Sequence, residues 1–425
     1  MDTSTKNVSL EDLQKIVGEE HAREASAEDA VDGATPSFVV EPGSIEEISE
    51  LMKLANEEGL AAAPRGGGTK MSLGNPPRDL DLIVSTVRMN EVIEHVPGDQ
   101  VVRVQAGLKL QDLQEQLARS DQMLGIDPPE RDDAATIGGI VAANSSGPRR
   151  YRYGTIRDLI IGITVVLPDG TVAKAGGKVV KNVAGYDLSK LFTGSLGTLG
   201  VIATCNFRLH PLPETGRTVA VEVGDTLSAG QAAQEITHAQ LFPSAVELHW
   251  SEDQKHLTVL IEGIPPGVEA QAETASYLLS SFGEVRTLSD EEAALGPLDS
   301  PGAGDEVAIK ISAPPAELTG VLDSVLGATE RRGITPRITG HAGTGVTYVA
   351  LAGGDGDAQA QAVEELREIW VRRGGSVVVR HAPLSIKKRL DAWGPAGDYL
   401  GLTRRVKEKF DPRGVLNPGR FVGGI

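Results

Sequence analysis

Three glycine-rich stretches carry residue types that could hold a ligand. Arg65-Gly66-Gly67-Gly68-Thr69-Lys70-Met71-Ser72 follows a strand-like run, Leu60 to Pro64. Adjacent glycines permit positive φ angles and turn successive N–H groups to one side, making a nest for an anion, and Thr69 and Ser72 add hydroxyl donors. The alternative is an ordinary surface turn. Thr136-Ile137-Gly138-Gly139 is followed by small residues as far as Gly147, where main chain can closely approach a ligand. Gly194-Ser195-Leu196-Gly197-Thr198-Leu199-Gly200 repeats glycine every third position and leads into the strand-like Val201 to Leu209. The region holding the second and third stretches, Pro129 to Ile202, is hydrophobic as well as glycine-rich, which argues for order and for a large, flat cofactor pressed against backbone. The first loop is not a P-loop, because the Gly-Lys-Ser/Thr ending is absent, and no G-x-G-x-x-G opens a helix there.

The bulk numbers narrow the class. A chain of 425 residues is too long for one ordinary core and predicts two or three domains. Hydrophobic content of 40% with 24% charged residues is that of a globular protein, and a formal charge of -18 argues against a nucleic-acid surface. The first twenty residues lack the basic and apolar regions of a signal peptide, and no apolar run approaches the ~20 residues of a membrane span, so a cytoplasmic protein is expected. Cys205 is the single cysteine. It cannot form an intrachain disulfide, and an iron–sulfur cluster needs about four thiolates. Electrons handled by this chain must therefore leave to another centre. Cys205 itself lies in a strand-like run and reads as an inert core thiol.

Periodicity supplies the positioning elements. Ser9 is an N-cap for a helix with Leu10, Leu13, Ile16 and Val17 on one face, within a helical segment reaching about Pro36. Phe38 to Val40 is a short strand, Ser44 caps a helix from Ile45 to about Glu58, and Gly59 ends it. Leu82 to Ser85, Glu91 to Val96 and Val101 to Ala106 read as strands, with a helix at Lys109 to Arg119. The apolar run Asp158 to Leu167, the turn Pro168 to Thr171 and Val172 to Ala175 form a strand pair. From Pro211 the composition changes. Thr218 to Val223, Ala245 to Trp250, Leu257 to Glu262 and Val307 to Ser312 have strand character, whereas Ser228 to His238, Val268 to Phe282 and Ala358 to Arg373 are helical. Leu298 to Asp305 is a glycine/proline loop.

Several motifs together resemble one family. Pro64 to Ser72, Ala135 to Gly139, Tyr153 to Asp158, Lys181 to Asp187 (KNVAGYD) and Gly194 to Ile202 are similar, in order, to the FAD domain of the vanillyl-alcohol-oxidase/PCMH flavoproteins. KNVAGYD and the ending Arg404 to Val422 are most similar to FAD-binding subunits of the glycolate-oxidase type. The resemblance implies an α+β fold: a two-lobed PCMH-type FAD-binding domain (37–215) and an α+β substrate or cap domain (216–389). An N-terminal segment (1–36) precedes them, and a C-terminal segment (390–425) returns to the FAD domain. It implies that Arg65, Gly66, Gly67, Gly68, Thr69 and Ser72 hold the FAD pyrophosphate. Thr136, Ile137, Gly138, Gly139 and Asn144 would follow the ribityl chain and flavin, and Gly200, Val201, Ile202 and Asn417 would complete the site. Some relatives attach FAD through a histidine in the glycine loop. Thr69 stands there, and no histidine falls between His95 and His210, so noncovalent FAD is expected.

For oxidation of a 2-hydroxy acid, such a flavin needs a cation for the carboxylate and a base for the hydroxyl. Lys310, Arg337, His341, Arg380 and His381 are the cap-domain candidates. Structural roles for each, as strand-end charges or a buried histidine, are the alternative. Catalytic relatives usually carry His-x-Gly-Asp-Gly-Asn-Leu-His and a later Glu-His-Gly, which bind a divalent metal. Here His341 is followed by Thr344, Val346 and Tyr348 in place of Asp, Asn and the second His, and Arg380-His381-Ala382 replaces Glu-His-Gly. No metal site is expected. The resemblance implies a small 2-hydroxy acid substrate, a second flavoprotein subunit and an iron–sulfur subunit. A stand-alone flavoenzyme and a flavin-binding subunit without substrate chemistry of its own remain alternatives.

Overall fold

A computed structural model describes residues 8–128, 134–177, 187–288 and 306–425. Residues 181–186 of the KNVAGYD stretch and the loop at 298–305 lie outside them.

The N-terminal half builds two lobes, each around its own sheet. The first sheet has the order Ala22–Glu24, Phe38–Val40, Leu82–Ser85, Ala62–Arg65. Its last two pairings are parallel and the first antiparallel. Parallel neighbours need a crossover, which the helix Ile45–Glu58 supplies between Phe38–Val40 and Ala62–Arg65. Ser44 accepts from the Glu47 amide at its start, and Gly59 at φ 68° ends it in the left-handed conformation that lacks a Cβ penalty. Ile48, Leu51, Met52 and Ala55 all pack into that lobe's core. The second sheet is antiparallel, in the order Val92–Val96, Val101–Gln105, Val201–Arg208, Ile160–Val166, Val172–Gly176. Cys205 is fully buried on its central strand, and burial pushes its thiol pKa up, as expected of an inert core group.

One expectation gives way here. The N-terminal stretch is helical only over Leu10–Val17, and Ala22–Glu24 joins the first sheet beside Phe38–Val40. The physical reason is edge pairing: the exposed side of Phe38–Val40 takes a strand from the nearest chain. Asp29 and Asp32 then reach inward. Asp29 accepts from both Arg23 and Arg65 and is held far below the usual carboxylate range, chiefly by Arg23. Asp32 meets Lys387 Nζ at 2.9 Å.

The C-terminal half forms one antiparallel sheet of eight strands. Its order is Val285–Leu288, Thr215–Glu222, Lys255–Gly263, Ala245–Trp250, Ile334–His341, Val346–Gly353, Val307–Ser312, Ser376–His381. Helices Thr226–His238, Pro265–Leu279, Leu318–Glu330 and Gly356–Arg372 bury one face of it in a single core. Leu318–Glu330 was not expected, although Leu318, Val321, Leu322 and Val325 recur at helical spacing and all enter that core. The chain then returns to the first lobe. Asn417 donates its amide to the Ala62 carbonyl, and the Ala62 amide donates to Val415, so residues 415–417 lie along that sheet's free edge. No helix is long and apolar enough to cross a membrane among the described residues.

Candidate functional site

A cleft of about 820 Å³, its open mouth included, lies between the two N-terminal lobes. Arg65, Gly66, Gly67, Gly68, Thr69, Thr136, Gly138, Gly139, Gly200, Val201, Ile202 and Asn417 line it. Ser72, Ile137 and Asn144 are not among its lining. Ile137 is fully buried as the first residue of the helix Ile137–Ala143. Ser72 gives its carbonyl to Lys387. Asn144 ends that helix at φ 47°, with Oδ1 buried and unpartnered.

The glycine triplet works differently from the expectation of successive positive φ angles. Only Gly68 adopts one, at φ 80°. A Cβ on Gly66 would lie 2.0 Å from Thr136 Oγ1, and one on Gly67 would lie 1.6 Å from the Ala134 carbonyl oxygen. These two residues are glycine because two loops touch there. Gly139 is more open, since its nearest neighbour to such an atom is the Thr136 hydroxyl at 3.3 Å. The amides of Gly66, Gly67, Gly68 and Thr69 donate to no backbone carbonyl among the described residues. Arg65 is committed to Asp29 at 2.9 Å, so it brings little net charge. The cation is Arg420, which no sequence pattern singled out. It is buried, bonds to Asn417 Oδ1 and the Leu73 carbonyl, and leaves Nε without a partner. Free amides, a buried guanidinium and an elongated cleft with apolar walls fit a dinucleotide with a flat ring system such as FAD.

The second set of candidates lies on the face of the eight-stranded sheet opposite its helices. Side chains alternate across a strand, so Val246, Leu248 and Trp250 enter the helical core while Glu247 and His249 face the other way. Glu247 is in register with His341 on the neighbouring strand. Both Glu247 oxygens meet His341 Nδ1, at 2.8 and 3.0 Å, whereas His341 Nε2 is buried without a partner. The next transverse row carries Tyr348 and, in register with it, Lys310. The Tyr348 ring stands edge-on to His341, with centroids 5.5 Å apart. Arg380 sits at a register shift in Ser376–His381, beside Lys310. Burial, with Arg380 and Arg150 nearby, pushes the Lys310 ammonium down to about 8. None of Lys310, Arg380 and Arg150 takes part in an ion pair among the described residues. Arg337 shares the face but stands on its rim, 44% exposed and paired with Glu306 at 3.0 Å. His381 lies beyond the same register shift, opposite Ala308.

The segment Ser145–Arg150 joins the two regions. Ser145 lines the cleft. Arg149 donates to Glu262 at 2.6 Å, and its amide donates to Asp127, whose carboxyl is raised by burial to about 7. The helix Arg150–Tyr153 packs on Ala245–Trp250, and the Tyr151 ring fills the space beside Gly343. Five residue steps span at most ~18 Å, so a long cofactor in the cleft can reach toward the sheet face. Glu247, Arg150 and Asp127 were not among the expected site residues. Strand alternation was a usable signal for Glu247, but nothing local marks the other two. No group of three or more His, Cys, Asp or Glu is gathered for a metal among the described residues.

Comparison with known proteins agrees with both halves. Residues 36–176 match the model of an FAD binding domain, and residues 299–421 match that of the C-terminal domain of FAD linked oxidases. The chain is 29% identical to a D-lactate dehydrogenase of Archaeoglobus fulgidus, covering 90% of this chain and 91% of that protein. It is 26% identical to the glycolate oxidase subunit GlcD of Bacillus subtilis, covering 98% and 97%. Among solved structures, p-cresol methylhydroxylase with substrate bound superimposes with a TM-score of 0.78 at 15% identity, over 97% of this chain and 95% of that one, which establishes the shared PCMH-type fold.

Proposed function

Given that this chain belongs to the FAD-linked oxidoreductases, we propose that it dehydrogenates a small 2-hydroxy acid at the face of the eight-stranded sheet opposite its helices. The observation that carries this reading is a trio of cations: Lys310 and Arg380, on the face that holds His341, and Arg150, in the helix packed against that face, all in no ion pair among the described residues. Half-buried cations without a paired counter-ion are costly unless an anion completes them, and a carboxylate does so with charge-assisted hydrogen bonds.

Each part then has a task. The cleft would hold FAD without a covalent bond, the amides of Gly66 to Thr69 and the Arg420 guanidinium serving its phosphates and Gly138, Gly139, Gly200, Val201 and Ile202 its rings. When bound, FAD supplies the acceptor for the hydride of the substrate C–H bond. Arg380 and Lys310 fix the substrate carboxylate, which orients the carbon bearing the hydroxyl. His341 Nε2 accepts the hydroxyl proton. Tyr151 and Tyr348 narrow the space around the imidazole.

With one buried cysteine, the chain holds no iron–sulfur cluster of its own. The likeness to a protein named as a glycolate oxidase subunit supports partner subunits, and the ones proposed here are a second flavoprotein and an iron–sulfur protein. The test is turnover of the purified chain with an artificial electron acceptor. Glycolate or D-lactate should reduce the acceptor while simple alcohols do not, and equal rates with both would overturn the reading. Acid precipitation should leave FAD in the supernatant, because no histidine or cysteine lines the cleft among the described residues.

A further inference from the structure

We infer that Glu247 is a positioning residue for the base, holding His341 with its proton on Nδ1 and its lone pair on Nε2. This rests on the 2-hydroxy acid reading above.

The geometry has three parts. Glu247 and His341 are cross-strand partners on adjacent antiparallel strands, so their reach is set by backbone register and not by a flexible loop. Both carboxylate oxygens approach the same ring nitrogen, at 2.8 and 3.0 Å. A carboxylate accepts and does not donate, so Nδ1 carries the hydrogen. The neutral ring then has Nε2 as its acceptor, and that atom is buried with no partner. A buried polar atom left unpaired is costly, and such atoms in a folded protein call for a ligand or water. Here the unpaired atom shares a face with Lys310 and Arg380, cations suited to a carboxylate.

A purely structural ion pair would look different. It would not place the bare ring nitrogen on a face that also gathers Lys310 and Arg380. It would also gain little from a site where burial raises the Glu247 pKa against the opposing effect of His341. Glu247 itself is kept in place from the other lobe. Arg150 lies close enough to favour its charge, and the Arg150–Tyr153 helix packs on its strand. The alternate residues of that strand, Val246, Leu248 and Trp250, are apolar and committed to the core. A carboxylate on such a strand, set opposite the single histidine that survives from the motif, is thus explained by orientation of that ring.

The test uses the FAD-loaded full chain with 15N-labelled histidine. In wild type the His341 ring nitrogens should report the Nδ1–H tautomer. Glu247→Gln and Glu247→Leu should lose that bias, and kcat should fall roughly 10²- to 10⁴-fold with KM almost unchanged. Glu247→Leu guards against a glutamine that re-forms the hydrogen bond, and FAD content reports folding. An Nε2–H tautomer in wild type would overturn the inference. So would an unchanged kcat in FAD-replete Glu247→Leu, or a loss of FAD in both variants with kcat and KM moving together. The tautomer is read without turnover. A wild type with the expected tautomer but no activity on any 2-hydroxy acid would sink the substrate reading alone.

Discussion

The cofactor cleft and the sheet face are built on opposite principles. The cleft is made of main chain: loop amides, glycines at points of close approach and one buried arginine. Its specificity is for shape and phosphate, which backbone serves well, and few side chains could be substituted without collision. The sheet face is made of side chains on a regular scaffold, and register alone brings Glu247, His341, Tyr348, Lys310 and Arg380 together. These side chains lie opposite the helical core, so changing them alters the face without opening that core. A family can therefore keep the first region and alter its substrate or its chemistry at the second.

The largest expected effect is at the cleft. Gly67→Val should abolish FAD retention, since its Cβ must displace the Ala134 carbonyl and part the two loops. Flavin content per chain measures this, and the C-terminal half should stay folded because its core is separate. Normal flavin content in the variant would erase the contrast between the regions.

At the sheet face, His341→Gln should keep its FAD and lose about 10²- to 10⁴-fold in kcat, the range of a missing general base. EDTA should leave the wild type unaffected, because in the mechanism proposed above Arg380, Lys310 and His341 handle the substrate without a metal. Arg380→Met should act mainly on binding, with KM rising roughly 10- to 100-fold for the loss of one charge-assisted contact. Equal losses of kcat and no change of KM would move Arg380 from anchoring to chemistry.

The smallest effect is in pH. Lys310 is depressed from 10.5 to about 8, so its charge in the folded protein is complete well below pH 8 and lost above it. A carboxylate held partly by that charge should bind more weakly as pH rises through about 8, so KM rises there. The sign is opposite for stability. A depressed ammonium favours the fold above its unfolded value, near 10.5, and that contribution is lost as pH falls through about 8. Lys310→Arg should remove the KM rise, since guanidinium keeps its charge.

How much of this was legible follows from the same contrast. The glycine loops stood out because glycine in an ordered, hydrophobic stretch marks a close approach or an unusual backbone angle. Even so, their reason was misjudged: Gly66 and Gly67 yield to Thr136 and Ala134, contacts far apart along the chain that no local signal reveals. Helix Ile45–Glu58 matched its periodicity and caps, because those forces are local. His341 and Arg380 stood out by departure from a motif, and Lys310 by charge within a strand. Glu247 is marked by strand alternation in Ala245–Trp250, whose other face is apolar. Arg150, Asp127 and Arg420 depend on how separate sheets and a returning C-terminus dock, which pattern does not encode. Arg337, chosen on charge alone, lies at the exposed rim.

The most direct measurement is anaerobic titration of the isolated, FAD-loaded chain with glycolate and with D-lactate, followed through the flavin absorbance. One of them should bleach the flavin stoichiometrically in wild type, with Arg380→Met requiring much more substrate to reach the same end point. A flavin that stays oxidised with every 2-hydroxy acid, in a chain that dithionite reduces normally, would contradict substrate chemistry at this sheet face and leave a subunit that only holds the cofactor.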